Sequence, residues 1–441
     1  MKVLLLNLDC VGEFLALALR GAKAGHEVRI WFSKENNPET GDGFDGITKV
    51  DNWLSSAKWA DLIIPSGNHS FMPKLEQLRK SGMKVYGPSV ASSDLEIKRS
   101  EGMKLFEACG IEVPPYKEFS SLQDAEAHVR KTGERYVFKT LGDSDDKSLS
   151  YVSKTPADMV ARLQRWQKLG MNPKGKVMLQ QVIEGVEVGV SRALGSKGWV
   201  GPPNINFEFK KFLSGNCGMN VGESGSMLKY GTDEDKLFKD ILAPCEKALM
   251  ALGHLGDVDA NAIVDDKGKA WPLEWTTRPG FPAENILIAT TQGDPVQWRL
   301  DACNGKDTLK VSTKVACGVV LAQPDYPYSK ETEAKTTDIP VYGVTKANEQ
   351  YLYPQSIKRE KLPDMDGEKI VEREIWATSG DYLAVVTGTG KTVRRACTRA
   401  YDTVHELHVP DLMYRDDIGE RLEDDLPKLQ QHGYCTEWVY E

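Results

Sequence analysis

The spacing of apolar and polar positions changes twice along the chain. Up to about residue 100, short apolar runs alternate with helical spacing. Residues 3–8 form an apolar run of the kind that makes a strand buried on both faces, and Asp9 ends it. Phe14, Leu15, Ala18, Leu19 and Ala22 recur at helical spacing, and Gly25 stops that helix before a strand at 28–32. Residues 61–65 and 83–86 read as further short strands, with a helix through Leu75 and Leu78 between them. Strands alternating with helices predict a parallel βαβ sheet. Its ligands sit beyond the carboxyl ends of the strands, here residues 9–13 and 65–71.

The pattern changes at Gly87-Pro88-Ser89. Residues 94–109 predict a helix closed by Gly110, with Pro114-Pro115 beyond. From 136 to 280, strands separated by Gly- and Asp-rich turns dominate, with helices near 156–169 and 233–252. A third region holds apolar runs at 315–321 and 382–387 and a helix at 391–404. The absence of repeats and low-complexity tracts favours one compact multidomain protein.

Composition narrows the class. The 441 residues fit two to four domains. No apolar run approaches the ~20 residues that span a bilayer. A net charge of -8 argues against a general nucleic-acid surface. The eight cysteines form no Cys-x-x-Cys pair, so free thiols in a reducing cytoplasm are expected and a zinc site is not.

Three segments carry candidate chemistry. In 261–280, two apolar arms flank an Asp-Lys-Gly turn, which predicts a hairpin with Asn261 and Glu274 facing each other. An oxygen ligand on each arm suits Mg²⁺, which takes one or two protein carboxylates plus nucleotide phosphates. Arg278 could hold a carboxylate bidentately. An ordinary hairpin with a solvated Glu274 fits the same pattern. In 136–148, a strand delivers Lys139 into an apolar run, where a charge needs an anion. The small-residue loop from Gly142, carrying Lys147, could close over phosphates, although a surface hairpin fits equally. In 177–191, the backbone around Gln181 and Ile183 could bracket an adenine edge, and Glu187 could accept from ribose hydroxyls.

Taken in order, these segments resemble the ATP-grasp superfamily. More narrowly, most of the chain resembles the phosphoribosylamine–glycine ligase family. Gly87-Pro-Ser with Leu95-Glu96 and Arg99, Phe209-Lys210-Lys211 with Gly218-Met-Asn220, and Leu273-Glu274-Trp-Thr276-Thr-Arg278-Pro-Gly each resemble a family segment. The C-terminal stretches 316–322, 386–393, 399–401 and 414–421 follow that family's C-terminal domain in order.

The resemblance implies an α/β multidomain protein. A Rossmann-like domain (1–100) would precede an ATP-grasp domain (101–305, lobes about 115–185 and 186–305) and an α+β C-terminal domain (306–441). It implies ATP contacts from Arg99, Lys139, Lys147, Gln181, Ile183, Glu187 and Asn220. Mg²⁺, with Mn²⁺ as an alternative, would sit on Glu274, Asn261 and Thr276. Arg278 and Lys210 would serve the chemistry. The substrates would be an amino-acid carboxylate, glycine first, and an amine. A cytoplasmic monomer or small homo-oligomer, with no membrane or nucleic-acid partner, is expected.

The chain also departs from the family. Where the family has a Gly-x-Gly-Gly-Arg-Glu-His turn, residues 7–14 read Asn-Leu-Asp-Cys-Val-Gly-Glu-Phe. A Gly-poor turn brings fewer backbone amides to a phosphate. Thr276 stands where the family has a metal asparagine, and Asp146-Lys147-Ser148 replaces Gly-Lys-Gly. Three functions follow: glycinamide ribonucleotide synthesis, ligation of glycine or another amino acid to a different amine, or non-catalytic nucleotide binding.

Overall fold

A computed structural model describes residues 1–8, 12–33, 38–141, 150–171, 175–324, 326–327 and 336–441. Asp9, Gly142 and Lys147 lie outside them. The expected parallel sheet is present, in the order Ile47–Lys49, Glu27–Phe32, Lys2–Asn7, Leu62–Pro65. Leu4, Leu5 and Leu6 are fully buried, as an apolar run covered on both faces requires. Residues 83–86 contribute only an isolated bridge, Val85 to Ile63, rather than the expected strand.

The single helix expected over 94–109 is two, Val90–Ile97 and Arg99–Ala108. Ser89 and Ser92 cap the first reciprocally. Lys98, at ψ 79°, breaks the run so that Arg99 opens a new helix in a different direction. Trp275 fixes that second helix. Its ring stacks on Phe106 at 4.2 Å, and its Nε1 donates to the Gly102 carbonyl at 3.0 Å. The helix expected over 233–252 also divides, into a π turn at Phe238–Leu242, a 3-10 turn at Ala243–Cys245 and an α-helix at Glu246–Ala251. Pro244 lacks the N–H a continuous α-helix needs.

A small antiparallel sheet, ordered Tyr116–Phe119, Val177–Gln181, Tyr136–Thr140, Tyr151–Val152, is packed by helices Leu122–Thr132 and Pro156–Lys168. The main body is one eight-stranded antiparallel sheet. Its order is Ala270–Thr276, Gly256–Val264, Val186–Gly195, Gly198–Glu208, Gly225–Tyr230, Val315–Ala322, Tyr382–Gly390, Leu352–Pro354. Strand Gly225–Tyr230 pairs with Val315–Ala322, so this sheet runs across residue 305. Its core closes under helix Val393–Glu406. A three-stranded sheet of Thr337–Val341, Lys369–Ser379 and Ile357–Asp366 stands apart from it. Among the described residues, no helix is long and apolar enough to cross a membrane.

Candidate active site

Four adjacent strands of the large sheet bring Asn206, Gly189, Asn261 and Glu274 into one row. Residues two apart share a face, so Glu208, Glu187 and Asp259 point the same way. Gly189 keeps the row open, because a Cβ there would lie 2.3 Å from Asn206 Oδ1. This polar face interrupts an otherwise apolar sheet and therefore needs internal partners.

Lys210 supplies them. Its Nζ lies 2.8 Å from Glu187 Oε1, 3.1 Å from Glu208 Oε2 and 3.3 Å from Glu274 Oε1. Burial works against its charge, yet these carboxylates hold it well above the usual lysine value. Arg99 Nη1 donates to Glu274 Oε2 at 2.7 Å. The break at Lys98 makes that contact, because it turns Arg99 toward the strand that carries Glu274. From the small sheet, Lys139 Nζ donates to the Leu273 carbonyl at 3.2 Å, joining the two lobes. Burial first, and Arg99 and Lys210 with it, pulls the Lys139 ammonium down to about 8, against the pull of Glu274 and Glu187. Burial and then Glu208 push Asp259 and Glu223 well above the ordinary carboxylate range.

The chemistry of this row fits Mg²⁺. Asn261 Nδ2 donates to Glu208 Oε2 at 2.7 Å, while its Oδ1 is buried with no hydrogen-bond partner, beside Glu274 on the next strand. A buried acceptor left unpaired is costly, and an oxygen-seeking cation answers it. Among the described residues no three His, Cys, Asp or Glu side chains form a closed metal cage. The donor set fits a cation that completes its shell with phosphate and water, as Mg²⁺ does.

Arg278 sits beside this row. Its Nη2 lies 3.0 Å from Glu96 Oε1, and Glu96 Oε2 accepts from the Thr277 amide at 2.9 Å and from Asn68 Nδ2 at 2.7 Å. Glu96 thereby ties the loop after strand Leu62–Pro65 to the arginine. Thr276 pairs in register with Asp259, two residues beyond Glu274 on the same face. Gln181 ends its strand, exposed, with its amide on the Pro115 carbonyl, and Ile183 follows in the link to strand Val186–Gly195. Asn220 is exposed on the hairpin Lys211–Leu213/Cys217–Asn220, directly after Lys210. The structure thus gathers Arg99, Lys139, Glu187, Lys210, Asn261 and Glu274. Among the described residues, no hydrogen bond or ion pair joins the side chains of Gln181, Ile183 or Asn220 to that cluster.

Sequence reading passed over Glu208, Asn206, Asp259 and Glu223. The first three had a signal: Asn204-x-Asn206-x-Glu208 and Asp257-x-Asp259-x-Asn261 place polar residues at every second position of apolar strands.

The C-terminal part braces the segments that carry Glu208 and Lys210. Arg415, almost fully buried, lies 2.7 Å from Asp417 through Nε and again through Nη2. Its Nη1 donates to the Lys211 carbonyl and to Asn216 Oδ1. Arg421 Nη2 donates to the Glu208 carbonyl at 3.3 Å.

Residues 316–421 match the family model described as phosphoribosylglycinamide synthetase, C domain. The phosphoribosylamine–glycine ligase of Escherichia coli O6:H1 is 25% identical over 360 residues, covering 79% of this chain and 80% of that protein. That of Neisseria meningitidis serogroup B is 24% identical, covering 79% and 81%. The crystal structure of phosphoribosylamine–glycine ligase from Thermotoga maritima superposes with a TM-score of 0.72 at 20% identity, over 95% of this chain and 100% of that one. Along most of its length the chain is similar to phosphoribosylamine–glycine ligases, and it shares their ATP-grasp fold. The fold is also found elsewhere: a biotin carboxylase from Campylobacter jejuni superposes with a TM-score of 0.60 at 15% identity, over 99% of this chain and 98% of that one. In this architecture Lys139 arrives from a separate small sheet and reaches the edge strand of the large one.

Lys139 gives the first expected result. An ammonium held near 8 is charged below that pH and neutral above it. ATP affinity should hold steady below pH 8 and fall above it, by up to about tenfold per pH unit. Calorimetry across pH 6.5–9.5 should show this for the natural protein and lose it in Lys139→Ala. Lys139→Ala should also melt no earlier than the natural protein, because a desolvated cation is not a stabilising residue. An unchanged ATP affinity in that variant would remove Lys139 from the nucleotide site.

Proposed function

We propose that the protein is an ATP- and Mg²⁺-dependent carboxylate–amine ligase that activates glycine and joins it to an amine. The observation that carries this reading is the convergence of Lys139 with Arg99, Lys210, Asn261 and Glu274, with Arg278 fixed beside them by Glu96. The glycine carboxylate, oriented by Arg278, attacks the γ-phosphate of ATP and gives glycyl phosphate and ADP. The amine then displaces phosphate and leaves an amide. No protein nucleophile is required, so positioning and charge neutralisation do the work. Lys139, Lys210 and Arg99 are the cations for the phosphates, and Glu187 faces the ribose. Bound Mg²⁺ would neutralise the β- and γ-phosphate oxygens from Glu274 and Asn261. The division into segments 1–100, 101–305 and 306–441, the last two sharing the large sheet, goes with this reading, as does a cytoplasmic location. Hydroxylamine tests activation whatever the natural amine. Glycine, ATP and hydroxylamine should give the hydroxamate in step with ADP. ADP without hydroxamate, or no ADP, would overturn the reading.

The amine is expected to differ from the one named in the relatives. Residues 7–14 and 65–71 contain no lysine or arginine. Glu13 is buried at the end of the first strand, accepting from Asn7 Nδ2 at 2.8 Å. A phosphate charge ~6 Å from a carboxylate is opposed by roughly 3 kcal/mol at an effective dielectric of about 20, a hundredfold in affinity. A neutral or cationic amine meets no such opposition. Steady-state ligation with phosphoribosylamine generated in situ decides the point. A kcat/KM of about 10⁴ M⁻¹s⁻¹ or more would restore the purine-pathway substrate.

A further inference from the structure

The loop after strand Leu62–Pro65 carries a side chain with two distinct ends. Asn68 is buried, with 4% of its surface exposed. Its Nδ2 donates to Glu96 Oε2 at 2.7 Å and to Thr277 Oγ1 at 3.2 Å. The Glu96 carboxylate can only accept, so the amide nitrogen has to be the atom that faces it. That fixes the direction of the other end. Asn68 Oδ1 accepts from none of the described residues, and it keeps a share of the residue's small exposed surface. An amide oxygen held in one direction is a fixed acceptor, and what satisfies it is an N–H or O–H donor.

Its placement says which donor. Strand Leu62–Pro65 runs parallel to Lys2–Asn7, and ligands of such a sheet lie beyond the carboxyl ends of its strands. Ser66 ties those two ends together, its Oγ accepting from the Leu8 amide at 2.9 Å. The inward end of Asn68 meets the glycine side of the site. Glu96 holds Arg278 Nη2 at 3.0 Å, and Thr277 directly precedes that arginine. Asn68 therefore stands between the crevice, from which an amine would come, and the arginine that would orient the carboxylate it attacks.

We propose that Asn68 receives the amine, accepting one of its N–H groups on Oδ1 and turning the nitrogen lone pair toward the activated carboxyl group. This rests on the reading of Arg278 as the partner of the glycine carboxylate. It also names the substrate class, a primary amine. As the nitrogen bonds to the acyl carbon, the bond from that carbon to the phosphate oxygen breaks. One N–H proton leaves with the phosphate, and the other stays on the new amide and faces Asn68. A secondary amine has a single N–H, which cannot both leave and remain on Oδ1. Holding the lone pair in line is a positioning effect.

Hydroxylamine and N-methylhydroxylamine are the probes, compared in the hydroxamate reaction and against acetyl phosphate in solution. The full-length protein should favour hydroxylamine by about tenfold more than solution does, the worth of one hydrogen bond. Asn68→Ala should raise KM for hydroxylamine about tenfold and return the preference to the solution ratio. Asn68→Asp keeps the outward oxygen but sets a carboxylate against Glu96. It should raise KM for glycine and retain the preference. Glu96→Gln, which reaches the reaction through Arg278, should do the same. An unchanged preference in Asn68→Ala, with only KM for glycine raised, would make Asn68 a structural brace and overturn the proposal. So would a preference lost in Asn68→Asp. KM and the preference do not depend on the folded fraction, so partial misfolding of a variant cannot imitate either result. No hydroxamate from the unaltered protein would overturn the ligase reading itself, and this proposal with it.

Discussion

Glu274→Gln is expected to lower kcat by a thousandfold or more at ordinary Mg²⁺ concentrations, roughly 4 kcal/mol in the transition state. Glu274 meets Arg99 through one oxygen and Lys210 through the other, beside the unpartnered Asn261 Oδ1. Among the described residues no other carboxylate contacts both cations, and Thr276 would offer a metal only a hydroxyl. A cation with one protein carboxylate depends on that charge heavily. Glutamine keeps the size and a hydrogen-bonding oxygen, so the fold should persist: Lys210 retains Glu187 and Glu208. The variant should recover part of its rate as Mg²⁺ is raised into the tens of millimolar. Full hydroxamate formation at 1 mM Mg²⁺ would place the metal elsewhere.

Arg415→Ala is expected to have the largest effect on stability. The arginine is almost fully buried and bridges Asp417 to the Lys211 carbonyl and Asn216 of the hairpin that follows Lys210. Truncating one partner of a buried pair leaves the other uncompensated, which costs about 3–5 kcal/mol. The hairpin has few other anchors. Ser214 Oγ donates to Asp416 Oδ1, the Gly215 amide donates to Asp417 Oδ2, and its own residues are largely exposed. Once Arg415 is gone, Lys210 and Asn220 should lose their fixed placement. Denaturant unfolding should show the lost stability, and the surviving folded enzyme should show a raised KM for ATP. A midpoint unchanged within error would mean that Asp417 and the hairpin find water instead.

Local chemistry wrote several elements directly into the sequence. The run at residues 3–8 could only be a strand covered on both faces, since no amphipathic alternative places so many aliphatic side chains out of water. The Asp-Lys-Gly turn fixed the register of the hairpin as far as Ala262, and a bulge between Ala262 and Asn261 then puts Asn261 opposite Glu274 instead of Leu273. Lys139 was legible because a charge in an apolar run has to find a partner. Each of these depends on neighbours along the chain.

Tertiary structure decided the rest. Lys210 meets Glu187, Glu208 and Glu274 because the hairpin that carries the first two shares a sheet with the distant hairpin that carries the third, and no local rule sets how hairpins are ordered in an antiparallel sheet. Lys98 breaks a helix that its sequence would continue, because Trp275 packs the second segment on Phe106 and draws Arg99 to Glu274. The continuity of the large sheet across residue 305 was equally hidden, since strand Val315–Ala322 is apolar throughout and would suit any buried position. The alternating Asn206, Glu208, Asp259 and Asn261 stood in plain view. Their meaning required knowing that the two strands lie on either side of Val186–Gly195, where Gly189 leaves room for their side chains to meet.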